Sequence, residues 1–193
     1  GRTREYVDIV RSVLRRDAPV EHHGEHYDIP YTGAGATGLG KPLKIITRPL
    51  RPEVPIYLAA IGPKNVALAA EIADGWIPTL FSPEHVAEFR PLLEEGFARA
   101  GNGKGFDDFE IAPTVNAFVT DDVAAARDAM RPYVALYVGG MGSRKQNFYN
   151  ALATRMGYGD AAAEVQERYL ARDYDGAAAA VPFDFIDRTS LIG

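Results

Sequence analysis

The segment from Pro55 to Trp76, PIYLAAIGPKNVALAAEIADGW, limits the fold more than any other part of the chain. An apolar run from Ile56 to Ala60 leads to Gly62, and Pro63 then opens an alanine-rich amphipathic stretch. Asp74-Gly75 closes that stretch before a second apolar run, Trp76 to Leu80. This succession reads as strand, tight turn, helix, strand. Two strands joined through a helix lie parallel, because the crossover has to pass over the sheet. The turn also carries chemical potential. A helix start leaves amides without partners, and Gly62 lets another group approach closely.

The flanking sequence continues the alternation. Thr3 is a plausible N-cap for a first helix with Val7, Val10, Val13 and Leu14 on one face. Val20 to Ile29 reads as a hairpin turning near Gly24. Residues 31–55, rich in Gly and Pro, read as a loop with one short apolar run at Leu43 to Ile46. Within the helix near 63–73, Val66, Ala69, Ala70 and Ala73 form a small-residue face suited to close packing on a sheet. Ser82-Pro83-Glu84 then signals a capped helix start, Val86, Phe89, Leu93 and Phe97 recur at helical spacing, and Gly101 marks the stop. A strand over Glu110 to Thr120 yields at Asp121-Asp122 to another helix. Beyond residue 139, helices near 146–156, 160–171 and 174–180 follow without strands between them, as in an insertion. The class is α/β with a parallel sheet.

Composition narrows the function. With 193 residues, 47% hydrophobic and 24% charged, the chain has the makeup of one soluble globular domain or most of one. A net charge of −5, with no basic cluster longer than Arg15-Arg16, speaks against non-specific nucleic-acid binding. Cysteine is absent, which removes disulfides, thiolate metal sites and a cysteine nucleophile. No apolar run reaches the roughly 20 residues of a membrane span, and a reducing cytoplasm is the expected setting. No methionine opens the chain and it closes on the apolar Leu191-Ile192, so an internal piece of a longer protein is expected.

Several motifs invite chemistry, and each also has a plainer reading. Gly33 to Gly38 has the letters of a dinucleotide loop, and Gly35 to Lys41 nearly those of a phosphate loop. Pro42 stands where both need a helix, so a flexible loop is the reading. His22 and His23 diverge as neighbours on a strand, and with His26 they suit a solvated hairpin; no metal site is expected. His85 reads as a surface residue in a helix's first turn, and Trp76 as core. Gly139-Gly140-Met141-Gly142, before Arg144, Lys145 and Asn147, is either a flexible turn or a loop closing over a ligand. The strongest candidate site is Ala60, Ile61, Gly62, Pro63, Lys64 and Asn65. It is either a bare strand-to-helix connection or an anion site, with Lys64 adding charge and Asn65 a side-chain donor.

Ile56 to Pro63 followed by Ala69 to Trp76 resembles the bacterial-luciferase-like flavin monooxygenase superfamily. Gly139 to Gly142, Asn147 to Asn150 and Met156-Gly157-Tyr158 are similar to its actinobacterial branch that uses the deazaflavin coenzyme F420. Thr3 to Tyr6 and Gly24 to Tyr27 also fit the family's middle region. The resemblance implies a partial (β/α)₈ TIM barrel, a fold of about 250 residues when whole. The fifth to seventh strands would lie near 56–60, 76–80 and 110–119, with the helical insertion, about 139–185, after the last strand present. The first four strands and the last would be absent. The implied cofactor is coenzyme F420, with FMN as the alternative, and its phosphate would rest on the turn from Ala60 to Asn65. The implied reaction moves a hydride between F420 and a small organic substrate. An FMN-dependent monooxygenase and a non-catalytic phosphate-binding α/β module are the alternatives. Catalytic groups would sit on the absent strands, so none is assigned, and the isolated piece is expected to be inactive. Expected partners are a small-molecule substrate, no nucleic acid, no membrane and, as an open option, a second copy of the chain.

Overall fold

The strand–turn–helix–strand unit forms as its pattern predicts, in a computed structural model that describes residues 1–193. Strand β3 (Tyr57–Ala59) leads through the turn into α2 (Pro63–Ile72), which ends before β4 (Gly75–Ile77). The two strands pair in parallel, with Leu58 beside Trp76. Ahead of them come α1 (Arg2–Arg15) and an antiparallel hairpin of β1 (His22–His23) and β2 (Asp28–Ile29). Helix α1 begins after Gly1, so Thr3 lies inside it and does not cap it; the backbone is already helical at Arg2. Val7 and Ile9 are its buried residues. Residues 31–55 form a long loop, tied to the hairpin's base where Leu43 exchanges two backbone hydrogen bonds with Val20.

After β4 a single turn of 3₁₀ helix (Pro83–His85) precedes α3 (Val86–Ala100). Ser82 stands at its start but makes no capping hydrogen bond with its side chain. The expected strand over 110–120 is two strands, β5 (Glu110–Ile111) and β6 (Asn116–Phe118). Pro113 lies between them, where a missing amide interrupts a ladder. The halves serve different neighbours: β5 pairs in parallel with β4, and β6 with a further strand, β7 (Ser190–Ile192). A bridge from Thr79 to Thr114 spans the break. The parallel strands thus follow one another in space in their order along the chain.

Strand β7 corrects the expectation that the helical region follows the last strand present. Helices α4 (Val123–Ala135), α5 (Phe148–Ala153), α6 (Gly159–Leu170), α7 (Tyr174–Ala179) and α8 (Phe183–Thr189) all precede it. Its three residues show no periodicity of their own, and partnership with β6 is what makes them a strand. Two wide helical turns, at Leu136–Gly140 and Thr154–Tyr158, extend α4 and α5, the second kinked at Gly157 with φ of 93°. Gly139 and Gly140 therefore belong to a helical turn and not to a flexible loop. A Cβ on either would strike the Tyr169 ring, which is the local reason for glycine.

One face of the sheet holds the core. Trp76, Leu93, Phe97, Val66, Val134, Val165 and Phe185 sit in one contiguous buried cluster between strands and helices. Val66, Ala69, Ala70 and Ala73, the small-residue face of α2, are all fully buried. Gly96 lets α3 approach so closely that a Cβ there would lie 2.2 Å from the Ala67 carbonyl oxygen. The opposite face is open: Ala59, Ala117 and Leu191 are exposed. On that face the Tyr57 ring covers Gly75 and its hydroxyl meets Glu110.

Polar contacts dock α1 at the strand starts. Arg11 pairs with both oxygens of Asp74 at 3.2 and 3.0 Å, and Asp74 also accepts the Ile56 amide at 2.8 Å. Glu5 receives the amides of His26 and Tyr27 and faces the His22 ring. Burial pushes the Glu5 carboxyl up, but the hydrogen bonds from His26, His22 and Tyr27 together hold it below its ordinary value. His22 and His23 turn to different carboxylates, Glu5 and Asp28. No helix is long and apolar enough to cross a membrane.

Candidate cofactor-anchoring turn

The turn from Ala60 to Asn65 is shaped from both ends. On the strand side, Trp76 Nε1 donates to the Ala60 carbonyl at 2.8 Å in a buried hydrogen bond. On the helix side, Gly62 occupies the N-cap in extended conformation and Pro63 fills the first helical position. There proline's fixed φ suits the helix and its missing amide costs nothing. The Asn65 and Val66 amides both return to the Gly62 carbonyl, at 2.9 and 3.0 Å. Those of Gly62 and Lys64 meet no backbone acceptor. Pro63, Lys64 and Asn65 are exposed, while Ala60 and Gly62 are buried and Ile61 is half-buried.

The electrostatics suit an anion. The start of α2 carries the positive end of the helix dipole, and no acidic residue stands in its first turn to neutralise it. Two free amides, an adjacent ammonium on Lys64 and an exposed Asn65 amide side chain make a donor set chemically matched to phosphate.

Residues whose proximity to the turn the sequence did not show complete the surroundings. Phe148, first residue of α5, lays its ring against Gly62. Next to the turn, Ala60, Ile61, Leu80, His85, Leu152 and Met156 line a narrow, mostly apolar crevice. His85 is half-buried there, with Nδ1 3.4 Å from Ser82 Oγ, and so is not simply a surface residue. Leu80, three residues past the end of β4, is buried with a φ of 52°, a left-handed conformation unusual for leucine. No letter in the sequence signals it.

Beyond Phe148 lies a run of phenols. Tyr133 and Tyr137 rings are 4.7 Å apart, and Tyr137 and Tyr149 rings 4.8 Å apart. Burial first, and the Tyr137 hydroxyl second, push the Tyr133 phenol above its ordinary value. Burial does the same for Tyr149. Tyr133 and Tyr149 are therefore neutral donors near neutral pH. The i, i+4 spacing of Tyr133 and Tyr137 is visible in the sequence, but their meeting with Tyr149 requires the chain to fold back.

Parallel strands in sequence order, helices on one face and an amide-lined turn at a strand's C-terminal end define an open α/β scaffold. The chain belongs to the luciferase-like monooxygenase family, whose profile matches residues 1–193. A Mycobacterium tuberculosis protein, provisionally assigned as a coenzyme F420-dependent oxidoreductase, is 48% identical over all of this chain and 56% of its own length. The 5,10-methylenetetrahydromethanopterin reductase of Archaeoglobus fulgidus is 32% identical over 72% of this chain and 37% of its own. Among solved structures, the coenzyme F420-dependent tetrahydromethanopterin reductase of Methanopyrus kandleri superposes with a TM-score of 0.72 at 24% identity. That match covers 97% of this chain and 49% of the reductase. An F420-dependent secondary alcohol dehydrogenase gives 0.65, also at 24% identity, over 98% and 47%. The chain thus spans about half the length of the relatives it matches.

Proposed function

We propose that this chain is the middle-to-late part of one luciferase-like barrel domain, in an oxidoreductase that moves a hydride between coenzyme F420 and a small organic substrate. Identity of 48% along the whole chain to a protein assigned that cofactor carries the reading. The relatives named above give no support to FMN or to a non-catalytic binding module. On this reading the open face bearing Ala59, Ala117 and Leu191 is the inner wall of the barrel, covered in the longer protein.

The turn from Ala60 to Asn65 is the proposed anchor for the coenzyme's phosphate. Amides of Gly62 and Lys64 would donate to it, and the Lys64 ammonium would add charge. Trp76 holds the Ala60 carbonyl back, so that the turn presents donors and not an acceptor. Leu152 and Met156 close the crevice behind it against water. When bound, the coenzyme supplies the hydride chemistry through its deazaflavin ring, and the protein positions and insulates it. No group of this chain is assigned a proton-transfer role.

The test is a fluorescence titration of the full-length enzyme with coenzyme F420 and with its phosphate-free deazaflavin chromophore. The whole coenzyme should bind at least about tenfold more tightly, and Lys64→Ala should cost about threefold at low salt and less at high salt. Equal affinity for the two ligands would remove the anchor. FMN recovered from protein purified out of a deazaflavin-producing host would replace the cofactor.

A further inference from the structure

Gly62 is not a glycine for conformational reasons. Its φ of −70° and ψ of 143° are ordinary extended backbone, open to any residue. A Cβ at this position would instead meet the Phe148 ring, with Cε1 at 2.9 Å, Cζ at 3.1 Å and Cδ1 at 3.2 Å. Comfortable carbon contacts begin at about 3.5 Å, so the ring occupies the space a side chain would need.

Phe148 is held in that place by its neighbours. Asn147, only 7% exposed, accepts the Tyr149 and Asn150 amides at 2.9 and 3.1 Å through Oδ1. Through Nδ2 it donates to the carbonyls of Tyr137 and Val138 at 3.1 and 2.9 Å. Asn150 adds bonds to the carbonyls of Val138 and Ala162. The start of α5 is therefore fastened to the end of α4 and to α6. Phe148 as a residue remains 45% exposed, so burial in the core does not account for its position.

The geometry points to Phe148 as a positioning residue for the anchor turn: its ring, seated on Gly62, fixes the turn in which the Gly62 and Lys64 amides meet no backbone acceptor. Gly62 is glycine to admit the ring, and not to admit the coenzyme. The inference rests on the proposed reading of the turn as the phosphate anchor.

A double-mutant cycle in the full-length enzyme tests it, read by titration with coenzyme F420 and the phosphate-free chromophore, alongside thermal midpoints of the ligand-free protein. Phe148→Ala should weaken binding of the whole coenzyme about tenfold and leave the chromophore unaffected. Gly62→Ala should do the same by displacing the ring. The double variant should be no worse than Phe148→Ala alone, and the milder Phe148→Leu should recover part of the loss. Additive losses in the double variant would show that the glycine serves the ligand, and would overturn the inference. Unchanged affinity in Phe148→Ala, or equal loss of both ligands, would overturn it too. Equal affinity of the unsubstituted enzyme for both ligands would instead sink the phosphate reading. The midpoints would then still show whether ring and glycine are coupled.

Discussion

Gly96→Ala sets two effects of opposite sign against each other. In an exposed helix the change stabilises by about 1 kcal/mol, since alanine loses less backbone freedom. On α3 the new methyl would lie 2.2 Å from the Ala67 carbonyl oxygen, 2.5 Å from Ala70 Cβ and 3.0 Å from the Glu71 amide nitrogen. Carbon–oxygen contacts begin near 3.3 Å, so α2 and α3 must separate by about 1 Å. The obstacle is backbone and cannot rotate aside. Overpacking of this kind costs about 1–3 kcal/mol, and the rigid partner puts it at the upper end. Net destabilisation should be about 2 kcal/mol once the helix-propensity gain is subtracted. At about 2–4 °C per kcal/mol, the melting point should fall by about 4–8 °C, toward the smaller figure in the full-length protein. Because the proposed anchor turn leads into α2, affinity for coenzyme F420 should fall with it on that reading. The assay is thermal unfolding by circular dichroism at two scan rates, with and without coenzyme F420. A melting point equal to or above that of the unsubstituted protein would show that propensity wins, and the close α2–α3 contact would be refuted.

Three further outcomes are expected. Burial first, then the hydrogen bond to Asp184, push the Tyr158 phenol up from 10.0 to about 12. The unfolded chain therefore loses this proton first, and the stabilisation is complete below pH 10 and lost as pH rises to about 12. Tyr158→Phe should flatten that alkaline decline in unfolding midpoints, and an unchanged slope would count against the pair. Trp76→Phe removes the donor to the buried Ala60 carbonyl and part of a fully buried side chain. A loss of about 2–4 kcal/mol is expected in denaturant unfolding, with weaker coenzyme binding. Asp74→Ala frees Arg11 and the Ile56 amide at a half-exposed site, so calorimetry should show only about 1–2 kcal/mol.

What the sequence made legible was local. Val66, Ala69, Ala70 and Ala73 recur at helical spacing and lie together in the core. Gly62-Pro63 marks the turn because both residues act through their own backbone. The division of residues 110–120 was hidden, since both halves mix apolar and polar residues alike and differ mainly in their distant partners. Pro113 was the one local sign. Strand β7 escaped for the same reason. Gly139 and Gly140 looked like a flexible turn because the Tyr169 ring that explains them comes from another helix. At the anchor, the donor residues were readable but the Phe148 ring over Gly62 was not. A contact between side chains far apart along the chain leaves no trace in spacing.

The loop between hairpin and sheet has a practical use. Residues 31–40 are exposed at every position, and the bridge between Val20 and Leu43 ties the chain down on either side of them. A dye, tag or inserted peptide between Gly33 and Gly40 would disturb no buried group. Such a reporter could follow binding of coenzyme F420 in real time without touching the proposed anchor residues, Ala60 to Asn65.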